Sequence, residues 1–171
     1  MVLDLRELIA GAVKEVPFAY EQALEGAGAK TLSDDLQSGV LQASGKAENH
    51  AGYSQLKGEI LLEGIFRCGR CCKTFPRTLR FPMAYPLAET LAGEDMEEYL
   101  LLEDGQLDLS DVVNSQLLLE LPYRFLCKED CKGLCPKCGC DRNVDSCQCD
   151  LREKDPRWAV LNGFFDEEET T

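Results

Sequence analysis

The sequence predicts an α+β protein: an antiparallel β-sheet meander stapled by a helix, with a small zinc-stapled carboxy-terminal extension. Three observations carry this reading. Two consecutive runs within residues 56–85 alternate apolar and polar side chains with period two, the mark of strands with one buried face. Residues 108–122 place apolar side chains at helical spacing between a capping aspartate and a proline. Residues 127–149 hold seven of the ten cysteines. We therefore expect a core domain over residues 1–125. Residues 126–171 would form a cysteine-rich, zinc-binding extension with a short helix and an acidic tail.

Taken in order, Val2, Leu3 and Leu5 open the chain as a strand, residues 6–13 make a turn of helix, and Val16, Phe18 and Tyr20 alternate as a second strand. Residues 24–39 are rich in Gly, Ser and Asp and read as a mobile loop. A strand over residues 40–46 begins the meander. The next puts Leu56, Ile60, Leu62, Phe66 and Cys68 on one face, with Leu61 and Ile65 as exceptions on the other. Its successor puts Phe75, Leu79, Phe81, Met83 and Tyr85 on one face, and Pro76 and Pro82 mark it as an edge or bulged strand. Residues 87–97 are acidic and loop-like. Asp104-Gly105 is a two-residue hairpin signal with a short strand expected on each side. The helix that follows carries Leu109, Val112, Val113, Leu117 and Leu121 on one face, with Asp108 or Ser110 as its cap and Pro122 as its stop. Beyond the cysteines, Asp155-Pro156 starts a short helix bearing Trp158, Leu161 and Phe165, and an acidic tail ends the chain.

A chain of 171 residues with 44% apolar residues can bury a real core. Its formal net charge of −13 disfavours RNA, DNA and anionic membranes at long range and favours basic proteins. The amino terminus lacks the cationic and apolar regions of a signal peptide, and no segment reaches the roughly 20 apolar residues of a membrane span. The expectation is a cytoplasmic protein with no membrane partner. In a reducing compartment, clustered cysteines mean metal more readily than disulfides. No phosphate loop, Ser–His–Asp set or HExxH motif occurs. We expect no enzyme, no catalytic residue and no small-molecule substrate.

The centre of the cysteine stretch, Cys135-Pro136-Lys137-Cys138-Gly139, reads as a zinc knuckle, in which two thiolates two residues apart grip one tetrahedral ion. Cys127 with Cys131 upstream, and Cys147 with Cys149 downstream, compete to complete it. Six thiolates thus stand for four positions of one structural zinc per chain. The surrounding residues are too poor in apolar side chains to order themselves. A structural zinc contributes on the order of 10–16 kcal/mol in small peptides.

Between the two alternating runs lies Cys68-Gly69-Arg70-Cys71-Cys72, which caps a hairpin. Three readings stay open. The first is a structural turn with packed thiols, the second a half-site for zinc, and the third a contact loop presenting Arg70. A redox CxxC begins a helix after a strand, whereas strand alternation resumes here, so a thiol oxidoreductase is a lesser alternative. Cys68, Arg70, Cys71 and Lys73 are the partner-contact candidates. With Arg67, Arg77 and Arg80, the two cations make a basic cluster that could approach RNA locally, or could merely balance acids such as Glu59 and Glu63.

Three motifs together resemble the YceD family, the large ribosomal RNA subunit accumulation proteins. They are the C-x-R-C turn after G-E-I (ending at Cys71), the D-L-S helix closing in L-P (residues 108–122), and C-K-G-L-C-P-K-C-G with D-P-R-W downstream. Their order covers the chain from about residue 40 onward. Cys72 stands where the family shows a larger apolar residue, and Cys140 looks like an additional thiol. The resemblance implies a non-enzymatic cytoplasmic factor needed for large-subunit (23S) ribosomal RNA to accumulate. Its partner would be a ribosomal protein or the pre-ribosomal large subunit, with an rRNA contact through the hairpin as the alternative.

Overall fold

A computed structural model describes residues 1–90 and 99–149. Five strands form one curled sheet in chain order: β2 (Glu15–Glu25), β3 (Leu36–His50), β4 (Tyr53–Arg67), β5 (Thr74–Ala88) and β6 (Leu100–Leu101). A separate pair joins β1 (Val2–Asp4) to β7 (Gln106–Asp108). Three helices complete the described residues: α1 (Arg6–Ile9), α2 (Gly26–Leu32) and α3 (Leu109–Glu120).

The period-two pattern has the expected physical outcome. Leu56, Ile60, Leu62 and Phe66 on β4 are completely buried, while Ile65 on the opposite face is 40% exposed. On β5, Phe81 and Met83 are buried, and Phe75, Leu79 and Tyr85 pack beside them half-buried. Pro76 and Pro82 cost no ladder bonds, because β6 borders β5 only at Leu87 and Ala88. Helix α3 lays Leu109, Val112, Val113 and Leu117 into the core. The Asp108 side chain accepts from the Ser110 N–H at its start, and the helix ends before Pro122. Phe125 then returns to the sheet and stacks on Phe66 with ring centroids 4.2 Å apart.

Two expectations are corrected, and the turn between them forms as expected. The sheet is mixed: β2 to β5 are antiparallel, but β6 joins β5 in parallel through Leu87↔Leu100 and Ala88↔Leu101. The Asp104-Gly105 turn does form, with φ of +50° and +73°, and Glu103 and Gln106 exchange backbone hydrogen bonds of 3.0 and 2.9 Å. A short strand stands on each side as expected, and the two then take different partners, β6 in the large sheet and β7 with β1. Residues 24–39 are not a loop throughout. They contain α2 and the start of β3, anchored by Leu24, Ala29 and Leu36, all buried. Their Gly-rich composition hides this, because tertiary burial of three spaced side chains overrides weak local propensity.

No helix among the described residues is long and apolar enough to cross a membrane. The helix expected from Asp155, the acidic tail, and most of the acidic stretch ending at Glu97 lie outside the described residues.

Candidate metal centres

The β4–β5 connection is a tight turn over Cys68 and the residues after it. The Cys68 N–H donates to the Lys73 carbonyl at 2.8 Å, and the Cys72 N–H donates to the Cys68 carbonyl at 2.9 Å. The same two bonds recur sixty-odd residues later: Cys135 N–H to the Cys140 carbonyl at 2.8 Å, and Gly139 N–H to the Cys135 carbonyl at 2.8 Å. The residue after each second cysteine is left-handed, Cys72 at φ +60° and Gly139 at φ +73°. Cys68-Gly69-Arg70-Cys71 and Cys135-Pro136-Lys137-Cys138 are therefore two copies of one knuckle. The sequence marks only the second openly, because Gly139 signals the left-handed turn and Cys72 does not.

Each knuckle aims backbone N–H groups at its sulfurs. Burial pushes the Cys68 thiol up, but N–H groups of Cys127, Cys71 and Arg70 together outweigh it and hold the thiol at about 6. At Cys135 the N–H groups of Cys138 and Lys137 likewise hold the thiol at about 6. The Cys140 N–H does the same for Cys138, whose thiol is lowered.

Two separate thiol sets result. Cys68, Cys71, Cys127 and Cys131 have Sγ atoms within 4.8 Å of one another, and so do Cys135, Cys138, Cys140 and Cys147. Across the first set, Cys68 Sγ stands 3.8 Å from Cys131 Sγ and Cys71 Sγ 3.7 Å from Cys127 Sγ. Four sulfurs about 2.3 Å from a central zinc form a tetrahedron with edges of about 3.8 Å, so the donor set fits that ion. No disulfide forms; all ten cysteines are free. Without a cation the thiols oppose one another's ionisation. Burial, then the neighbouring thiols of Cys71, Cys68 and Cys131, push Cys127 up to about 12. The Cys138 sulfur does the same to Cys140 and to Cys149. A dication would remove this conflict.

The geometry divides the thiols differently from the single four-position site expected. Cys127 and Cys131 stand with the hairpin cysteines, not with Cys135 and Cys138. The hairpin thiols Cys68 and Cys71 thus lie within 4.8 Å of a second pair, Cys127 and Cys131. Cys140, read as an additional thiol, is a member of the second set. Cys149 is close enough to Cys138 to bear on its thiol. The signal that could have found the first set was the repeat itself, C-x-x-C twice, each needing a partner pair.

The contact candidates are engaged internally. Arg70 Nη1 donates to the Cys131 carbonyl at 2.8 Å and to the Glu129 carbonyl at 3.3 Å. Its own carbonyl accepts from the Leu134 N–H at 3.0 Å. Lys73 Nζ pairs with Asp141 at 2.6 Å, tying the first knuckle to the turn after the second. Arg67 meets Asp35 at 3.5 Å and Arg80 meets Glu59 at 3.0 Å. Asn143 completes the seam, donating to Cys131 Sγ at 3.5 Å while its Oδ1 accepts from the Lys132 N–H.

The family described as Large ribosomal RNA subunit accumulation protein YceD matches residues 56–165. An uncharacterized protein of Mycobacterium tuberculosis is 26% identical over 129 residues, 73% of this chain and 62% of that protein. The chain thus spans somewhat under two thirds of the length of its mycobacterial relatives. Bacillus subtilis YlbN, also uncharacterized, is 31% identical over 89% of this chain and 90% of its own length. A chloroplastic protein of Arabidopsis thaliana, named Large ribosomal RNA subunit accumulation protein YCED homolog 1, is 32% identical over 36% of this chain and 19% of its own. No solved structure matches.

Proposed function

The chain belongs to the YceD family of large ribosomal RNA subunit accumulation proteins, and on that premise we propose that it is a non-enzymatic factor of ribosome biogenesis. It supports accumulation of the large-subunit RNA in the cytoplasm by chaperoning or recruiting a basic ribosomal protein. The observation that carries this reading is the form of the two thiol sets. Each offers four sulfurs, so an ion held there has no open position for substrate or water, which is the form of a structural centre. We assign a structural zinc to each set, held by Cys68, Cys71, Cys127 and Cys131 in one and by Cys135 and Cys138 with two of Cys140, Cys147 and Cys149 in the other. The bound ions would supply fixed cross-links and neutralise thiolate charge.

The net charge of −13 favours a cationic protein over naked RNA. Four of the five hairpin cations already have internal partners, which weighs against the alternative of an RNA-binding hairpin. The division into a core of residues 1–125 and a metal-ordered extension of residues 126–171 belongs to the same proposal. It is supported by the change at Phe125, the last large apolar side chain in the main core before the thiols take over.

Affinity purification of the tagged protein from lysate, with and without nuclease, tests the reading. Basic large-subunit proteins should remain bound after nuclease. Retention of rRNA alone, lost on nuclease treatment, would overturn the protein-partner reading in favour of direct RNA contact.

A further inference from the structure

A groove of about 670 Å³ runs between the sheet edge at β6 and α3. Three features set it apart. Its walls carry apolar side chains left open to solvent: Leu101 of β6 is 48% exposed and Leu119 of α3 is 87% exposed. Among the described residues, three carboxylates, those of Glu103, Asp108 and Asp111, line it, and no lysine or arginine does. Asp108 is committed to Ser110 and to the Met1 amine. Glu103 and Asp111 have no ion pair among the described residues.

The third feature is Gln116, which lines the groove and is only 4% exposed. Its Nε2 donates to the Pro82 carbonyl at 2.7 Å and to Glu120 Oε1 at 3.0 Å. Two acceptors on that side fix the amide orientation, since flipping it would set oxygen against oxygen. Gln116 Oε1 is then a buried acceptor without a donor. Leaving such an atom unpaired is costly, and a ligand that brings an N–H or N⁺–H recovers that cost. Among the described residues, the large sheet also ends here, at β6, whose outer edge no other strand covers.

We propose that this groove is the docking site for a lysine- or arginine-rich protein segment carrying apolar side chains. The apolar residues would rest on Leu101, Val112 and Leu119, and the cations would meet Glu103 and Asp111. This rests on the reading of a basic protein partner and gives that partner a place. A nucleic acid is disfavoured at this surface by the same carboxylates.

The test uses the full chain and a fluorescein-labelled twelve-residue peptide of alternating lysine and leucine, read by anisotropy. Glu103→Lys with Asp111→Asn should weaken binding about tenfold. Glu21→Lys with Glu63→Gln changes the total charge equally on the outer sheet surface and should weaken it less than about twofold. Leu119→Asp, at an exposed position that does not endanger folding, should also weaken it. Equal weakening by the groove and the remote variants would overturn the site, because the protein's overall field would then explain the binding. A wild-type dimer that Leu119→Asp converts to monomer would assign the groove to a second copy and also overturn it. Capture from nuclease-treated lysate separates the two levels. If the groove variant retains basic ribosomal proteins as wild type does, the site fails and the functional reading stands. If wild type retains none, the functional reading fails whatever the peptide shows.

Discussion

Cys68 and Cys131 lie 63 positions apart in the chain and 3.8 Å apart at their sulfurs, both buried. That distance is the edge of a zinc–sulfur tetrahedron, and it joins the tip of the β4–β5 hairpin to the segment that follows the core. An ion held by the first thiol set would therefore tie the sheet to the extension, whereas the second set is local to residues 135–149.

Protein purified without exposure to oxygen should carry about two zinc ions per chain. Cys68→Ser and Cys131→Ser should each lower the content by about one, and Cys72→Ser should leave it unchanged, since Cys72 is exposed and belongs to neither set. Elemental analysis reads this directly. Full metal content in Cys68→Ser would remove the first set from the ligand list. Chelation should raise hydrogen exchange over residues 127–149 and also at the hairpin tip, while leaving the centre of the sheet protected.

Cys72→Gly should stabilise the protein by about 1 kcal/mol. Cys72 holds φ +60° at the position where the second knuckle has Gly139 at φ +73°. A side chain in the left-handed region costs about 1–2 kcal/mol, against which glycine loses some unfolded-state entropy. Urea melts of the zinc-loaded variant and wild type at one pH check it. A loss of stability would mean that the Cys72 side chain makes a contact of its own.

Arg70→Glu with Lys73→Glu should lower the melting temperature and loosen the first metal centre. Read from the sequence, these are exposed charges whose loss matters little. In the fold Arg70 holds the Cys131 carbonyl and Lys73 holds Asp141, so reversal sets negative charge against both. The rate of zinc transfer to a chromophoric chelator should rise. An unchanged melting temperature and transfer rate would show that these links are idle.

Phe125→Ala should cost about 3–5 kcal/mol, the range for removing a fully buried aromatic ring. Phe125 stacks on Phe66, and its carbonyl accepts from the Gly69 N–H at 2.8 Å. Its loss should also weaken zinc retention at the first set, since that contact brings the chain back to the hairpin. Thermal denaturation and metal analysis of the variant test both effects.

Glu48 joins Lys46 at 2.7 Å, His50 at 3.2 Å and Lys57 at 3.9 Å, and Lys46 above all holds its carboxyl down at about 2. A depressed carboxyl contributes stability above its unfolded value of 4.5 and loses it as pH falls through the folded one. The melting-temperature difference between wild type and Glu48→Gln should therefore shrink between pH 4.5 and about 2. Metal loss in acid affects both proteins and cancels in the difference. A gap that stays constant over this range would show that the ion pairs are not coupled to folding.

The sequence by itself determined what depends on near neighbours. The alternation through Leu56, Ile60, Leu62 and Phe66 requires a half-buried strand. Asp108 and Pro122 bound a helix whose stripe must face a core, and Cys135-Pro136-Lys137-Cys138-Gly139 spells a knuckle because glycine supplies its left-handed turn. Tertiary structure decided what depends on where the chain returns. Cys127 and Cys131 are near the second knuckle in sequence. They join the first because Phe125, buried against Phe66, delivers them to the hairpin tip before the chain reaches Cys135. Tertiary pairing and burial likewise split β6 from β7 and order α2. Each is settled by which distant apolar surface is available to cover it, and no local period or turn signal encodes that choice.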